Sequence, residues 1–205
     1  GLCNFLSSLP PFSSGREMPR KLLLLLIIPL LLQLTGCTTT SPTKERDAAT
    51  AEQRSVGTML DDEFIELNAS NAVYQDQRLN EQTHVNITSY NFITLITGEA
   101  PTQALKSQIE TLVKSIPKVR RVHNMLKIAA PSSLLTRTSD ATLTVRIKSA
   151  MLGERGFSHR IKVVTENGTT YLMGIVNRDQ GNRAVAVAQG ISGVQKIVKL
   201  FEYTD

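Results

Sequence analysis

The chain is poor in the residues from which metal sites, disulfide frameworks and stacking surfaces are built. Its 205 residues include no tryptophan, two cysteines and three histidines, and only 5% of them are aromatic. Cys3 and Cys37 cannot form a disulfide framework, and no histidine lies at a ligand-like spacing from either of them. Few aromatic side chains are available to stack on single-stranded nucleic acid. The composition therefore predicts no metal site and no cofactor.

Sequence motifs for catalysis are also missing. The chain contains neither a Gly-x-Ser-x-Gly nucleophile pattern nor a glycine-rich phosphate loop. Asp61 and Asp62 are adjacent carboxylates, but neighbouring side chains on a helix do not converge. We interpret them as favourable charges at a helix start. We expect no enzymatic activity.

Residues 18–37 have the features of a bacterial export signal. A basic start at Met18 precedes an apolar run of eleven residues, which is shorter than the roughly 20 residues of a membrane-spanning helix. The following Leu-Thr-Gly-Cys resembles a lipobox, which implies cleavage before Cys37 and attachment of lipid to that cysteine. Thr38 stands where an aspartate would signal inner-membrane retention, so the resemblance implies the outer membrane. The alternative is a free or buried Cys37 behind an ordinary signal.

An order of helix, strand, strand, helix and strand occurs twice along the rest of the chain. Gly98 and Gly174 are 76 residues apart, and Val119 and Val194 are 75 apart. This spacing predicts an internal duplication into two small α+β domains, each a three-stranded sheet covered by two helices. The predicted organisation comprises upstream sequence and a signal peptide that starts at Met18 (1–36), a lipidated tether (37–53), domain 1 (54–130), a linker (131–138) and domain 2 (139–205).

Individual elements follow from periodicity and turn residues. Apolar residues at helical spacing predict a first helix over 61–79, and alternation predicts a last strand of domain 1 over 119–129. In domain 2, Asp140 is predicted to cap the first helix. Asn167-Gly168 is a strong signal for a hairpin turn between two strands.

Domain 2 carries the signature of a known family. A strand that ends in Gly174 is followed by a helix with Ala184 and Ala188, and then by Gly193-Val194 before the last strand. This pattern resembles the BON domain, and the pair of domains behind a lipobox resembles outer-membrane lipoproteins with two BON domains. Domain 1 departs from the pattern because it lacks the second glycine.

The family resemblance implies a function and partners. It implies a lipoprotein without catalytic activity that faces the periplasm, binds anionic phospholipid such as phosphatidylglycerol, and supports outer-membrane integrity and cell division. Envelope-assembly or cell-division proteins are further expected partners. A rival hypothesis is a lipid-tethered scaffold for envelope-assembly or cell-wall machinery that does not recognise phospholipid. Nucleic acid is not an expected partner, because export and an apolar stripe inside the basic region conflict with it.

The charge distribution separates the two domains. Residues 54–132 carry eight basic and eight acidic residues, whereas residues 133–205 carry ten and six, a net charge of +4 that suits an anionic membrane. On the first helix of domain 2, a second apolar stripe lies opposite the core face. The residues predicted to contact lipid are Thr142, Val145, Lys148, Leu152 and Arg155. The alternative is that Val145 and Leu152 pack against domain 1 and that the cations are ordinary surface residues.

Overall fold

The computed structural model describes residues 55–153 and 160–205. The signal peptide, Cys37 and the tether lie outside the described residues, and so does Arg155. The chain divides into one unit over 1–43 and another over 44–205, and all described residues belong to the latter. Three buried clusters are built only from residues of this second unit. The chain from Lys44 onward therefore contains a complete core of its own.

Domain 1 is a mixed sheet with helices on one face. Its elements are α1 (Val56–Gln75), α2 (Gln77–Gln82), β1 (His84–Tyr90), β2 (Ile93–Ala100), α3 (Gln103–Lys114), β3 (Arg121–Asn124) and β4 (Lys127–Ile128). Strand β1 pairs antiparallel with β2, and β3 and β4 both run parallel to β2. The predicted strand over 119–129 is thus interrupted. At the break, the N–H of Leu126 donates to the Asn124 side chain instead of to β2.

Domain 2 repeats this arrangement with fewer elements. They are α4 (Leu134–Leu152), β5 (Ile161–Glu166), β6 (Thr169–Val176), α5 (Arg178–Gln189) and β7 (Lys196–Tyr203). Strand β6 is central, antiparallel to β5 and parallel to β7. Both domains follow the predicted order of helix, strand, strand, helix and strand, with α2 and β4 added in domain 1. The α+β fold of two similar domains is confirmed.

Helix α4 begins earlier than the sequence indicated. Its N-cap is Ser133, whose Oγ accepts a backbone N–H three residues further along at 3.2 Å. Residues 134–138, assigned to the linker, therefore form its first turns. The prediction that Asp140 caps the helix is wrong. This carboxylate is only 6% exposed, and it accepts the backbone N–H groups of Asn167 and Gly168 at 2.7 and 3.0 Å.

Asp62 has the equivalent role in domain 1. Its buried carboxylate accepts the N–H groups of Asn91 and Phe92 at 2.7 and 2.8 Å, and the hydroxyl of Ser89 at 2.7 Å. It is therefore not a helix-start charge, since α1 begins at Val56. In each domain, a buried aspartate of the first helix fastens that helix to the β-hairpin turn.

The two domains pack sheet against sheet. The helix-covered face of each sheet forms its own buried cluster. The opposite faces meet in a third cluster, in which Tyr90 and Leu95 of domain 1 join Tyr171 and Met173 of domain 2. The layers therefore run helix, sheet, sheet, helix. Strand β2 is buried along its whole length because both of its faces are covered.

A glycine is required at the same place in each repeat. A Cβ atom on Gly98 would lie 2.0 Å from the carbonyl oxygen of His84, and one on Gly174 would lie 2.6 Å from that of Arg160. Gly98 also has a φ of 110°, which side chains disfavour. The close approach of the neighbouring strand explains the glycine landmark of both repeats.

Candidate functional site

Helix α4 exposes a line of large apolar side chains. Leu134, Val145 and Leu152 are 78%, 61% and 64% exposed. They follow one another at intervals close to three and two helical turns, so they lie along one side of the helix over about 27 Å. These three residues are called the α4 stripe below. Like every other helix among the described residues, α4 is not long and apolar enough to cross a membrane.

The opposite side of α4 faces the core of domain 2. Leu143, Ile147 and Met151 are 6%, 0% and 4% exposed and belong to the buried cluster of that domain. The exposure of Val145 and Leu152 contradicts the alternative that they pack against domain 1. Their contact with lipid stays a prediction.

The other residues predicted to contact lipid are placed as follows. Lys148 is exposed and forms no ion pair with any described residue. Thr142 is also exposed, and its hydroxyl donates to the carbonyl oxygen of Thr138 at 2.9 Å. Arg155 lies outside the described residues. The structure thus brings Thr142 and Lys148 to the same exposed surface as two residues of the α4 stripe.

Leu134 is a member of the surface that sequence reasoning missed. The predicted linker covers 131–138, so the predicted helical face does not include Leu134. A usable signal was present, because Ser133 directly before two leucines is a typical N-cap before an apolar residue. Extending the helix to this cap adds Leu134 to the stripe.

The charges of α4 and α1 have opposite signs. Helix α4 contains three basic residues and one acidic residue, and that acid, Asp140, is buried against the hairpin turn. Helix α1 contains four acidic residues and no basic residue. These helices occupy equivalent positions in the two domains, so the contrast is a property of the sequence and not of the fold.

Helix α1 also exposes apolar side chains. Two of its exposed apolar residues are aromatic, whereas α4 contains no aromatic residue. The exposed apolar residues of α1 are Val56, Met59, Leu60, Phe64, Leu67 and Tyr74. Here the apolar surface lies among carboxylates, which distinguishes it from the α4 stripe.

A cleft of about 710 Å³ opens beside α4. Thr142 and Arg146 line it from the helix, and Gly168 and Gly193 line it from neighbouring turns. Arg146 Nη1 donates to the carbonyl oxygen of Ser192 at 3.0 Å, which holds the guanidinium at the cleft wall. The cleft places a cation and a hydroxyl beside the apolar surface. The Asp140 carboxylate also lines it, where it accepts the N–H groups of the hairpin turn.

A second polar group lies between the two domains. His84 on β1 and Glu99 on β2 are directly opposite each other, and Glu166 ends β5. His84 Nδ1 lies 3.1 Å from Glu99 Oε2 and 3.8 Å from Glu166 Oε1. These three residues are called the interdomain cluster below. No pattern in the sequence joins these residues, because His84 lies at no ligand-like spacing from a cysteine and Glu166 belongs to the other domain.

Amide side chains hold the two carboxylates of the cluster. Asn86 Nδ2 donates to Glu166 Oε2 at 2.7 Å, while Asn167 Nδ2 donates to Glu99 Oε1. Burial raises the pKa of the Glu166 carboxyl. Burial acts in the same direction on Glu99, but hydrogen bonds from Asn167, the Ser132 N–H and the imidazole outweigh it and lower that pKa. Two carboxyl groups of one cluster therefore have pKa values shifted in opposite directions.

Both domains are similar to known proteins. The model of the BON domain family matches residues 61–130 and 139–205. The chain is 36% identical over 155 residues to "Outer membrane lipoprotein DolP" of Haemophilus influenzae, covering 75% of this chain and 80% of that protein. It is 29% identical over 153 residues to "21 kDa hemolysin" of Actinobacillus pleuropneumoniae, covering 74% and 79%. The C-terminal domain of CdsD, a structural protein of the type III secretion system of Chlamydia trachomatis, is 11% identical with a TM-score of 0.30, covering 68% of this chain and 96% of that one.

The two matches to the family model coincide with the two structural repeats, and the alignment with the lipoprotein of Haemophilus influenzae covers most of that protein. The duplication predicted from the spacing of glycines and valines is thus a duplication of one domain type. The chain belongs to the BON domain family, as an outer-membrane lipoprotein with two BON domains.

Proposed function

We propose that domain 2 binds anionic phospholipid through helix α4, in a protein that Cys37 anchors to the outer membrane facing the periplasm. The observation that carries this proposal is the α4 stripe, with basic side chains beside it and the buried core on the other side of the helix. This arrangement suits a helix that lies in the plane of a membrane interface. Through this contact the protein supports outer-membrane integrity and cell division.

Apolar burial and electrostatic attraction together are sufficient for a weak contact between α4 and the membrane. A lipid anchor would strengthen this contact by keeping the domain close to the membrane surface. Burying a leucine or valine side chain contributes roughly 1.5–3 kcal/mol. Each lysine or arginine near anionic headgroups contributes about 1 kcal/mol before screening by salt. The α4 stripe and Lys148 together offer several such contributions. Because the electrostatic part is screened, we expect salt-sensitive binding.

The cleft beside α4 supports the proposal because it is a candidate site for the lipid headgroup. A phosphate held there would meet the Arg146 guanidinium, which forms charge-assisted hydrogen bonds with phosphate oxygens. Thr142 offers a hydroxyl on the same wall. In domain 1, helix α1 contains no basic residue of its own to bind the same headgroup. Lipid binding is therefore assigned to domain 2 alone.

Co-sedimentation with vesicles tests the proposed function. The chain from Lys44 onward lacks Cys37, so a lipid anchor on that cysteine cannot account for any binding. We expect it to sediment with phosphatidylcholine vesicles that contain phosphatidylglycerol, less so at physiological than at low salt, and not with phosphatidylcholine alone. An absence of sedimentation at both salt concentrations, or equal sedimentation with both kinds of vesicle, would contradict the proposal.

A second candidate function is that of a tethered protein scaffold. The exposed apolar surface of α1 favours it, since Phe64 and Tyr74 are 60% and 70% exposed in the helix with four acidic residues. An acidic helix with exposed aromatic side chains suits a basic protein surface better than an anionic membrane. The scaffold becomes the better hypothesis if the chain from Lys44 does not bind vesicles that contain phosphatidylglycerol.

A further inference from the structure

The interdomain cluster has the donor atoms and spacing of a metal site. One imidazole nitrogen and two carboxylate oxygens lie within 4.8 Å of one another. In a tetrahedral zinc site with bonds of 2.0–2.2 Å, neighbouring donor atoms are about 3.4 Å apart. The distances of 3.1 and 3.8 Å from His84 Nδ1 to the two carboxylate oxygens lie on either side of this value. A small cation would fit among the three atoms with little movement.

Side chains around the cluster hold its two carboxylates in position, as neighbouring groups do for the ligands in metal sites. Each glutamate accepts an amide hydrogen bond on the oxygen that points away from His84, from Asn86 in one case and from Asn167 in the other. Each amide belongs to the domain opposite its glutamate. Hydrogen bonds of this kind fix the ligand oxygen toward the ion.

The cluster carries more negative than positive charge. Glu99 and Glu166 are only 2% and 4% exposed, and neither is paired with a lysine or arginine among the described residues. Glu166 Oε1 receives no hydrogen bond from any described residue, and its approach to His84 is 3.8 Å. Two buried carboxylates that share one imidazole and have no lysine or arginine partner are a costly arrangement without a further cation.

Two other features suit an ion at this place. Ser132, whose N–H donates to Glu99 Oε2 at 3.1 Å, has a buried hydroxyl with no hydrogen-bond partner. His84 also lines a cleft of about 480 Å³ together with Asn80 and Thr83. One of the three side chains of the cluster therefore borders a cleft that is large enough to hold water.

We propose that His84, Glu99 and Glu166 bind one divalent transition-metal ion, for which zinc fits best, and that the ion links the two BON domains. Zinc accepts imidazole nitrogen and carboxylate oxygen together and leaves a fourth position for water. Two ligands come from domain 1 and one from domain 2, so the ion crosses the sheet-to-sheet interface. This site is independent of the lipid-binding proposal, because none of its residues lies on α4.

Calorimetric titration with zinc chloride tests the site on the chain from Lys44 onward. That chain has no cysteine to compete for the metal. We expect the wild type to bind one zinc ion per chain. The zinc affinity of His84→Ala and of Glu166→Gln should be lower than that of the wild type by about tenfold or more. The matched control is His123→Ala, since His123 is a partly buried histidine on β3 outside the cluster. The zinc affinity of this variant should equal that of the wild type.

The same titration can overturn the proposal. Absence of zinc binding by the wild type would refute the site. Equal zinc affinity of the wild type and a folded Glu166→Gln variant would refute the link between the domains, and with it the proposal. Circular dichroism establishes that each variant is folded. Glu166→Gln preserves the size of the side chain, so it decides the question if His84→Ala does not fold.

Discussion

The substitution Leu152→Glu is expected to weaken binding of the chain from Lys44 to phosphatidylglycerol vesicles by about tenfold or more, which corresponds to about 1.4 kcal/mol or more. The change removes an apolar side chain from the α4 stripe and adds a charge that anionic headgroups repel. Leu152 is 64% exposed, so the folded protein should keep its stability. Vesicle co-sedimentation at low salt gives the affinity, and a thermal melt confirms the fold.

The matched control for Leu152→Glu is Leu67→Glu on α1. Leu67 is 56% exposed, so it is an equally accessible leucine on the equivalent helix of domain 1. We expect this variant to bind vesicles like the wild type. The assignment to α4 would be wrong if a folded Leu152→Glu variant bound normally, or if Leu67→Glu weakened binding as strongly.

The substitution Asp62→Ala is expected to lower the free energy of unfolding by about 3 kcal/mol or more. The carboxylate accepts three hydrogen bonds in a site with no exposure to solvent, and alanine leaves those donors buried and unpaired. Asn91 and Phe92 have φ angles of 53° and 64°, so the turn that loses its support is already strained at Phe92. Urea denaturation followed by circular dichroism measures the change.

Asp140→Ala is the internal comparison for Asp62→Ala. Asp140 accepts two backbone N–H groups, and its turn contains Gly168, which adopts a φ of 68° without strain. We expect a smaller loss of stability than for Asp62→Ala. If both variants unfold at the urea concentration of the wild type, the aspartates do not fasten the hairpins.

The repeated fold could be predicted because its signals are local. Each repeat is marked by helical periodicity, alternation and a strand-ending glycine, and the structure explains the glycine by the approach of a neighbouring carbonyl oxygen at Gly98 and Gly174. Asn167-Gly168 was predicted as a turn, and the strands on either side of it pair antiparallel as expected. Pattern and turn chemistry are properties of neighbouring residues, so one sequence suffices.

The errors came from contacts between residues far apart in the chain. The sequence predicts a cap at Asp140 because it does not show that a turn 27 residues later needs a buried acceptor. The continuous burial of β2 depends on the second sheet, which no local pattern reveals. The interdomain cluster joins His84 to a glutamate of the other domain, so it exists only in the folded chain. For the placement of Leu134, in contrast, a local signal was available in the Ser133 cap.

A membrane-sensitive fluorophore on single cysteines tests the central claim most directly. The chain from Lys44 contains no cysteine, so Val145→Cys on α4 and Phe64→Cys on α1 each give one labelling site, at positions 61% and 60% exposed. On addition of phosphatidylglycerol vesicles, we expect the label at position 145 to shift to the blue and the label at position 64 to keep its aqueous spectrum. A blue shift at position 64 alone, or at neither position while the chain sediments with vesicles, would contradict the assignment of lipid contact to α4.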